Sequence, residues 1–288
     1  MRAALMVKGR SLTVYEEVHS IKMATKPAVH KQFIMNLKML LPQHCRPVFI
    51  TDAGFRAPWF KLLDSMGYAW IGRIRNRDMV TPNAATPQWE GCKKLYERAT
   101  SKAQDLGQYL YVRGKAVACR LVLIKKNPQG RHHKNVDGKV SKSGHSLKQA
   151  RAQNEPWLLA VSPQLAEMPA DMVVRLYGGR MQIEQTFRDS KNVSRGLGLT
   201  QSQTRSAERL AMLLLIGALL TYALWLIGLA VKKEGYQIEY GGKKKAAKAL
   251  SLLSLARWWL ADSPHYLSKK TIRDALNILC AMAMDVYK

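Results

Sequence analysis

The chain is short of acid. Against 46 Lys and Arg it sets 20 Asp and Glu, a formal charge of +26. Such an excess strains a compact fold by self-repulsion unless a polyanion shares the surface. Nucleic acid fits, because it presents a dense line of phosphates and releases counterions on binding; an anionic membrane surface is the rival. Cysteine is scarce as well. Cys45, Cys92, Cys119 and Cys280 lie far apart and form no CxxC pair, which argues for reduced thiols in a cytosolic protein and against a disulfide framework or a zinc site. His132, His133 and His145 have no cysteine or carboxylate cluster beside them. The N-terminal MRAALMVKGRSLTVYEE has too short an apolar run for a secretory signal. No internal repeat is present. Asp is missing altogether ahead of Asp52, and the earlier acids, Glu16 and Glu17 in VYEEVH, read as surface or turn residues.

Apolar residues, by contrast, are plentiful at 47%, and 288 residues suffice for one large domain or two smaller ones. Ala3–Val7 and Ser11–Tyr15 read as strands around a Gly9-Arg10 turn, and Lys26–Leu41 has helical spacing. Pro47–Thr51 is a short apolar run that delivers Asp52 to a loop; Trp59–Met66 reads as a helix and Tyr68–Arg75 as another strand. This alternation predicts an α/β sheet. From about Asp78 to Glu155 Gly, Pro and polar residues increase, with a hairpin around Arg113-Gly114-Lys115. Lys125–Arg151 holds six Lys, two Arg and three His against the single acid Asp137, and reads as a mobile basic loop suited to phosphate contact. Trp157–Val161 returns to strand character, and Pro169 and Asp171 mark a helix start.

Leu210–Val231 is 22 residues without a charge, between Arg209 and Lys232-Lys233. By length it passes as a transmembrane helix. A helix apolar all round is equally the central helix of a large core, and its neighbours in the chain favour that reading. Two more helical segments follow, near Ala246–Leu260 and Ser268–Val286.

The run LYGGRMQIEQTFRDSK carries Tyr177, Arg180, Glu184 and Lys191 at offsets 0, 3, 7 and 14. At about 100° per residue all four leave one helix face, within about one sixth of the circumference. One carboxylate, two cations and a phenol make a poor core. They suit a place where metal and phosphate meet, or, more plainly, a solvated amphipathic helix. Gly178 and Gly179 inside this helix cost about 1 kcal/mol each relative to Ala. Asp52 and Glu184 together offer the oxygen ligands that hard divalent cations take, and Arg180 and Lys191 offer phosphate contacts.

The spacing Y-x2-R-x3-E-x6-K resembles the signature of cut-and-paste bacterial insertion-sequence transposases of the DDE class. Tyr177, Arg180, Glu184 and Lys191 match it without a spacing error, and the resemblance extends to TDAGFRAPWF around Asp52 and to EPWLLAVS around Trp157. It implies a ribonuclease-H-like α/β catalytic core that here lacks its first strand, with a mostly β insertion and a helical C-terminal part. On this view 1–77 is the first part of the core, 78–155 the insertion with its basic loop, 156–231 the second part with the Glu helix, and 232–288 the helical region. Asp52 and Glu184 would bind Mg²⁺, with Mn²⁺ as substitute; Tyr177, Arg180 and Lys191 would hold phosphate; Trp157 would stack on a flipped base. The activity implied is metal-dependent cleavage and strand transfer at insertion-sequence ends. The partners implied are transposon-end and target DNA and a second copy in a homodimer, with no stable membrane partner. The location implied is the bacterial cytoplasm, on the nucleoid when DNA-bound. The family's first catalytic Asp has no counterpart, so the chain reads as truncated at its N-terminus and is expected to cleave DNA ends poorly or not at all. Two further readings stand beside this one: a catalytically dead DNA-binding remnant, and a membrane-associated basic protein resting on Leu210–Val231.

Overall fold

Strand and helix alternate as the sequence predicts. The structure, a computed structural model, describes residues 1–7, 9–75, 78–127, 139–152, 154–193, 196–241, 250–262 and 266–285. In chain order its elements are β1 (Arg2–Val7), β2 (Arg10–Glu16), α1 (Ile21–Ala24), α2 (Pro27–Leu40), β3 (Val48–Thr51), α3 (Ala57–Ser65), β4 (Ala69–Ile74), β5 (Met79–Pro82) and β6 (Glu90–Gly91). There follow β7 (Gln104–Tyr111), β8 (Val117–Ile124), α4 (Gly144–Ala152), β9 (Trp157–Val161), α5 (Ala170–Gly179), α6 (Met181–Lys191), α7 (Ala207–Lys233), α8 (Gln237–Gly241), α9 (Leu252–Asp262) and α10 (Lys269–Met284). The chain forms two compact units, one of residues 41–180 and one of residues 1–40 with 181–288.

The unit of residues 41–180 is built on a seven-stranded mixed sheet in the order β3-β4-β9-β8-β7-β5-β6. β3 and β4 run parallel, and β4, β9, β8 and β7 pair antiparallel. The segment expected as an insertion therefore shares one sheet with β3, β4 and β9, because β8 pairs along the length of β9. Its core is apolar and aromatic: Phe60 stacks on Trp70 at 4.2 Å, with Ile71, Ile74, Leu121, Leu123, Leu158 and Leu159 fully buried. Gly72 is needed beside this stack, since a Cβ there would lie 2.3 Å from the Phe60 ring. The helix α5 lays Val173, Val174, Leu176 and Tyr177 on β3, β4 and β8. Its launch is fixed by Arg120 of β8, which is 5% exposed, donates to the carbonyls of Leu165, Ala166 and Met168, and pairs with Asp105 at 2.9 Å.

The other unit holds the β1–β2 hairpin, turned at Gly9 with φ +84°, where a left-handed conformation favours glycine. The helix α6 packs on this hairpin, and α7 packs on β2, α9 and α10. The cluster under the C-terminal part of α7 joins Trp225, Leu229 and Ala230 to Val7, Ala275 and Leu279.

Three expectations change. The basic stretch Lys125–Arg151 is not loop throughout: residues 144–152 form α4, while 128–138, with His132, His133 and Asp137, lie outside the described residues. Leu210–Val231 is helical but not a buried core helix over its length. Burial begins at Leu224, whereas Met212, Leu215, Ile216, Leu219 and Leu220 are exposed. An all-apolar sequence cannot say which end of a helix finds neighbours. Among the described residues α7 alone is long and apolar enough to cross a membrane, a test that core helices pass as well. Finally, the helix expected through Tyr177–Lys191 is two, with Arg180 between them as the cap of α5. The Gly178-Gly179 pair supplies the weak point, since glycine lowers the cost of leaving a helix. A Cβ on Gly178 would meet open space among the described residues.

Candidate functional site

Strand direction gathers the chemistry of residues 41–180 at one end of the sheet. β3 and β4 are parallel and finish side by side, with Thr51 paired to Gly72. β9 is antiparallel to β4 and so starts at that end, and β8 finishes there, with Ile124 opposite Trp157. The following residues are Asp52 after β3, Arg73 and Arg75 at the end of β4, Lys126 after β8, and Trp157 at the head of β9. The last turn of α5 brings Tyr177 and Arg180 to the same group.

Asp52 is exposed and shaped by an Asx turn: the Gly54 amide donates to its Oδ1 at 2.9 Å. No hydrogen bond falls on its Oδ2 among the described residues, so an oxygen remains for a hard cation. Tyr177 is 3% exposed. Its ring meets Trp157 edge to face at 4.9 Å, and the Arg180 guanidinium lies 5.8 Å from the ring centre. Burial pushes the Tyr177 phenol above its ordinary value, against the pull of Arg180 and Arg73, so it stays protonated near neutral pH. Trp157 is half-buried with the Lys126 ammonium 5.4 Å from its ring centre.

Arg73 is the residue that the sequence reading missed. Its Nη2 donates to the main-chain carbonyls of Glu155 and Pro156, at 3.3 and 3.2 Å, and its Nε is buried without an acceptor. The neighbouring Arg75 instead pairs with the Glu155 carboxylate at 2.7 Å. The signal was in YAWIGRIR, where a cation interrupts an otherwise apolar strand.

Glu184 and Lys191 belong to the unit of residues 1–40 and 181–288. There α6 docks on the hairpin through polar groups: Gln182 Oε1 accepts from the Val7 amide at 3.1 Å, Thr186 hydrogen-bonds Ser11, and Asp189 pairs with Arg10 at 2.6 Å. At about 100° per residue Glu184 and Lys191 stand roughly opposite that docking face and about 20° from each other. Both are exposed. The expected face is thus divided, with Tyr177 and Arg180 in one compact unit and Glu184 and Lys191 in the other. The expected metal pair, Asp52 and Glu184, is divided in the same way. Each is an exposed oxygen donor of the kind Mg²⁺ takes, and among the described residues no group of three or more His, Cys, Asp or Glu stands together.

Glu16 and Glu17 are not plain surface acids. Glu16 pairs with Arg2 at 2.8 Å, and Glu17 is held by Tyr15, by Asn36 at 2.9 Å and by His19 at 2.7 Å. Residues 2–221 match the family model described as transposase DDE domain. Among curated proteins no match is found.

Proposed function

The chain belongs to the transposase DDE-domain family, and from that premise we propose that its site serves DNA transposition by metal-dependent phosphodiester cleavage and strand transfer at insertion-sequence ends. One observation carries this reading to named residues: Asp52, Trp157, Tyr177 and Arg180 converge at one end of a single sheet. We read the core as ribonuclease-H-like and residues 78–155 as its β insertion.

Asp52 and Glu184 would hold Mg²⁺, or Mn²⁺ in its place. Bound there, the metal would polarise the scissile phosphodiester and activate the attacking oxygen. Arg180 and Lys191 hold the flanking phosphates by charge-assisted hydrogen bonds. Tyr177 aligns Arg180 and Trp157, and its protonated hydroxyl is the atom it can offer to phosphate. Trp157 takes a base turned out of the duplex, a stacking contact worth about 1–3 kcal/mol. Two copies pair in the DNA complex, in the bacterial cytoplasm and on the nucleoid while DNA is bound, with no stable membrane partner.

A second reading, a DNA-binding remnant without catalysis, is favoured by Glu16 and Glu17. Both are committed to other partners, so neither is a spare third carboxylate. One experiment separates the two. The purified chain is given insertion-sequence-end duplex with Mg²⁺ or Mn²⁺. Cleavage abolished by Glu184→Gln and by Asp52→Asn, with binding intact, supports transposition chemistry. Binding without cleavage supports the remnant, and failure to bind DNA sinks both. Recovery of the chain in the membrane fraction after a carbonate wash would instead support the membrane reading of α7.

A further inference from the structure

The β1–β2 hairpin, α6, the turn Leu199–Ser202 and α7 between Leu213 and Thr221 close on a cavity of about 190 Å³. None of the residues assigned above to metal, phosphate or base is among the described residues that line it. Leu197, Leu199, Leu213, Leu214 and Ala218 make its walls apolar. A cavity of about 150 Å³ lined in this way is enough to hold benzene. The hydroxyls at its edge are committed. Ser190 donates to the Thr186 carbonyl at 2.9 Å, Ser202 to that of Leu199 at 2.8 Å and Thr221 to that of Gly217 at 2.7 Å. Their oxygens can accept, but their protons are spent. One nitrogen donor is left over. Arg2, the only charged residue among the described lining residues, has a side chain 5% exposed. Its Nε and Nη2 take both oxygens of the Glu16 carboxylate, at 2.8 and 2.9 Å, and its guanidinium lies 4.1 Å from the centre of the Phe187 ring. Nη1 is enclosed and has no hydrogen-bond partner among the described residues. A buried donor without an acceptor is costly, and here it stands beside an apolar cavity.

We propose that this cavity is a binding site for a small neutral aromatic molecule with one hydrogen-bond acceptor, such as an aryl ketone, its ring against the leucines and its oxygen on Arg2 Nη1. The proposal does not depend on the DNA-binding reading. Three observations set the ligand class. The volume admits one ring with a short substituent, and the leucines and Ala218 cover its apolar body. The unmatched N–H calls for an acceptor. Glu16 already neutralises Arg2, so an anion entering here would lose its hydration and find no net positive charge. The rival is a crevice that holds only water. Thr186 is common to the cavity and to the bond between α6 and Ser11, so an occupant touches the helix that carries Glu184.

The test uses the full chain and 4-fluoroacetophenone, followed through its fluorine NMR line. The ketone should bind saturably, with Kd on the order of 1 mM or below. Two comparison probes are 4-fluoroethylbenzene, which keeps the ring and loses the acceptor, and 4-fluorobenzoate, which carries a charge. Each should bind on the order of tenfold more weakly than the ketone. Arg2→Lys keeps a cation for Glu16 and removes Nη1; it should weaken the ketone on the order of tenfold and leave the ethylbenzene unchanged. Ala218→Phe fills the cavity and should abolish binding of the ketone. Thermal melting checks that each variant is folded. Absence of saturable ketone binding by the unaltered chain overturns the proposal and leaves a crevice for water. Equal binding of ketone and ethylbenzene also overturns it, and assigns the probes to the exposed apolar side of α7 around Leu215 and Leu219. Benzoate binding as tight as the ketone overturns the neutral class. A folded Arg2→Lys or Ala218→Phe that binds the ketone as the unaltered chain does puts the site elsewhere and overturns it too. Where a variant melts early, the order of the three probes on the unaltered chain decides.

Discussion

Trp157 and Tyr177 meet edge to face, their ring centres 4.9 Å apart and their planes at 74°. One comes from the head of β9, the other from the last turn of α5, so sheet and helix are locked where the proposed DNA contacts gather. An aromatic pair of this geometry adds about 0.5–1.5 kcal/mol beyond the area it buries. It also leaves the half-buried indole held in one orientation, as a stacking platform requires.

Replacing Trp157 by Ala should therefore cost about 1–3 kcal/mol in binding a strand with an unpaired base. Trp157→Phe should recover part of that. Titration against a 2-aminopurine oligonucleotide measures both. Equal binding by the unaltered chain and Trp157→Ala would assign Trp157 to packing alone.

DNA binding should weaken steeply with salt. Each duplex phosphate neutralised contributes about −0.9 to the slope of log K against log salt. Exchanging Lys139, Lys142, Lys148 and Arg151, on and ahead of α4, for glutamine should flatten the slope without lowering the melting temperature. A slope near zero in the unaltered chain would remove the electrostatic argument that starts from the +26 charge.

The two parts of α7 should respond differently to truncation. Leu229 is buried in the cluster with Val7 and Leu279, so Leu229→Ala should destabilise by about 2–5 kcal/mol. Leu219 is 62% exposed, and Leu219→Ala should stay within about 0.5 kcal/mol. Denaturant unfolding of the two variants gives the comparison. A large loss at Leu219 would mean that its face is covered in solution.

Thiol reactivity should divide the cysteines. Burial pushes the thiols of Cys92 and Cys119 up to about 12, leaving almost no thiolate near neutral pH. Cys280 is exposed. Ellman's reagent at pH 8 should label Cys280 first, and Cys92 and Cys119 only on unfolding. Rapid labelling of Cys119 in the native chain would contradict the β8 packing.

Tyr177 sets a pH dependence with a definite sign. Its folded value is raised, mainly by burial, so its contribution is fully present below the unfolded tyrosine value of about 10 and falls as pH rises above it. Stability at neutral pH should be insensitive to this group. Tyr177→Phe should lessen the alkaline loss. Melting curves from neutral to alkaline pH would show it.

Local pattern made much of this legible. The β1–β2 hairpin announces itself by alternation around Gly9, β3 by a short apolar run ending at Asp52, and α5 by Pro169 and Asp171 at its start. What stayed hidden depended on pairing between distant segments. Nothing in Tyr109–Ile124 says that its second strand will lie against Trp157–Val161, and that pairing puts Lys126 over the indole. Arg73 looked like an ordinary strand residue until its carbonyl partners, which come from just ahead of β9, were in place. The helix of Tyr177–Lys191 was read as one because spacing counts residues and does not weigh two glycines against a cap.

The polar seat of α6 has a consequence of its own. Apolar side chains would let a helix slide or roll on the hairpin at little cost, because greasy contact has no preferred direction. Gln182 and Thr186, one turn apart, bond instead to particular atoms of Val7 and Ser11. Those bonds work like two teeth of an index wheel. A slip of a single residue would rotate Glu184 by about 100° and break both at once. The bearing of the Glu184 carboxylate is thus fixed by hydroxyl and amide groups on the opposite side of its own helix.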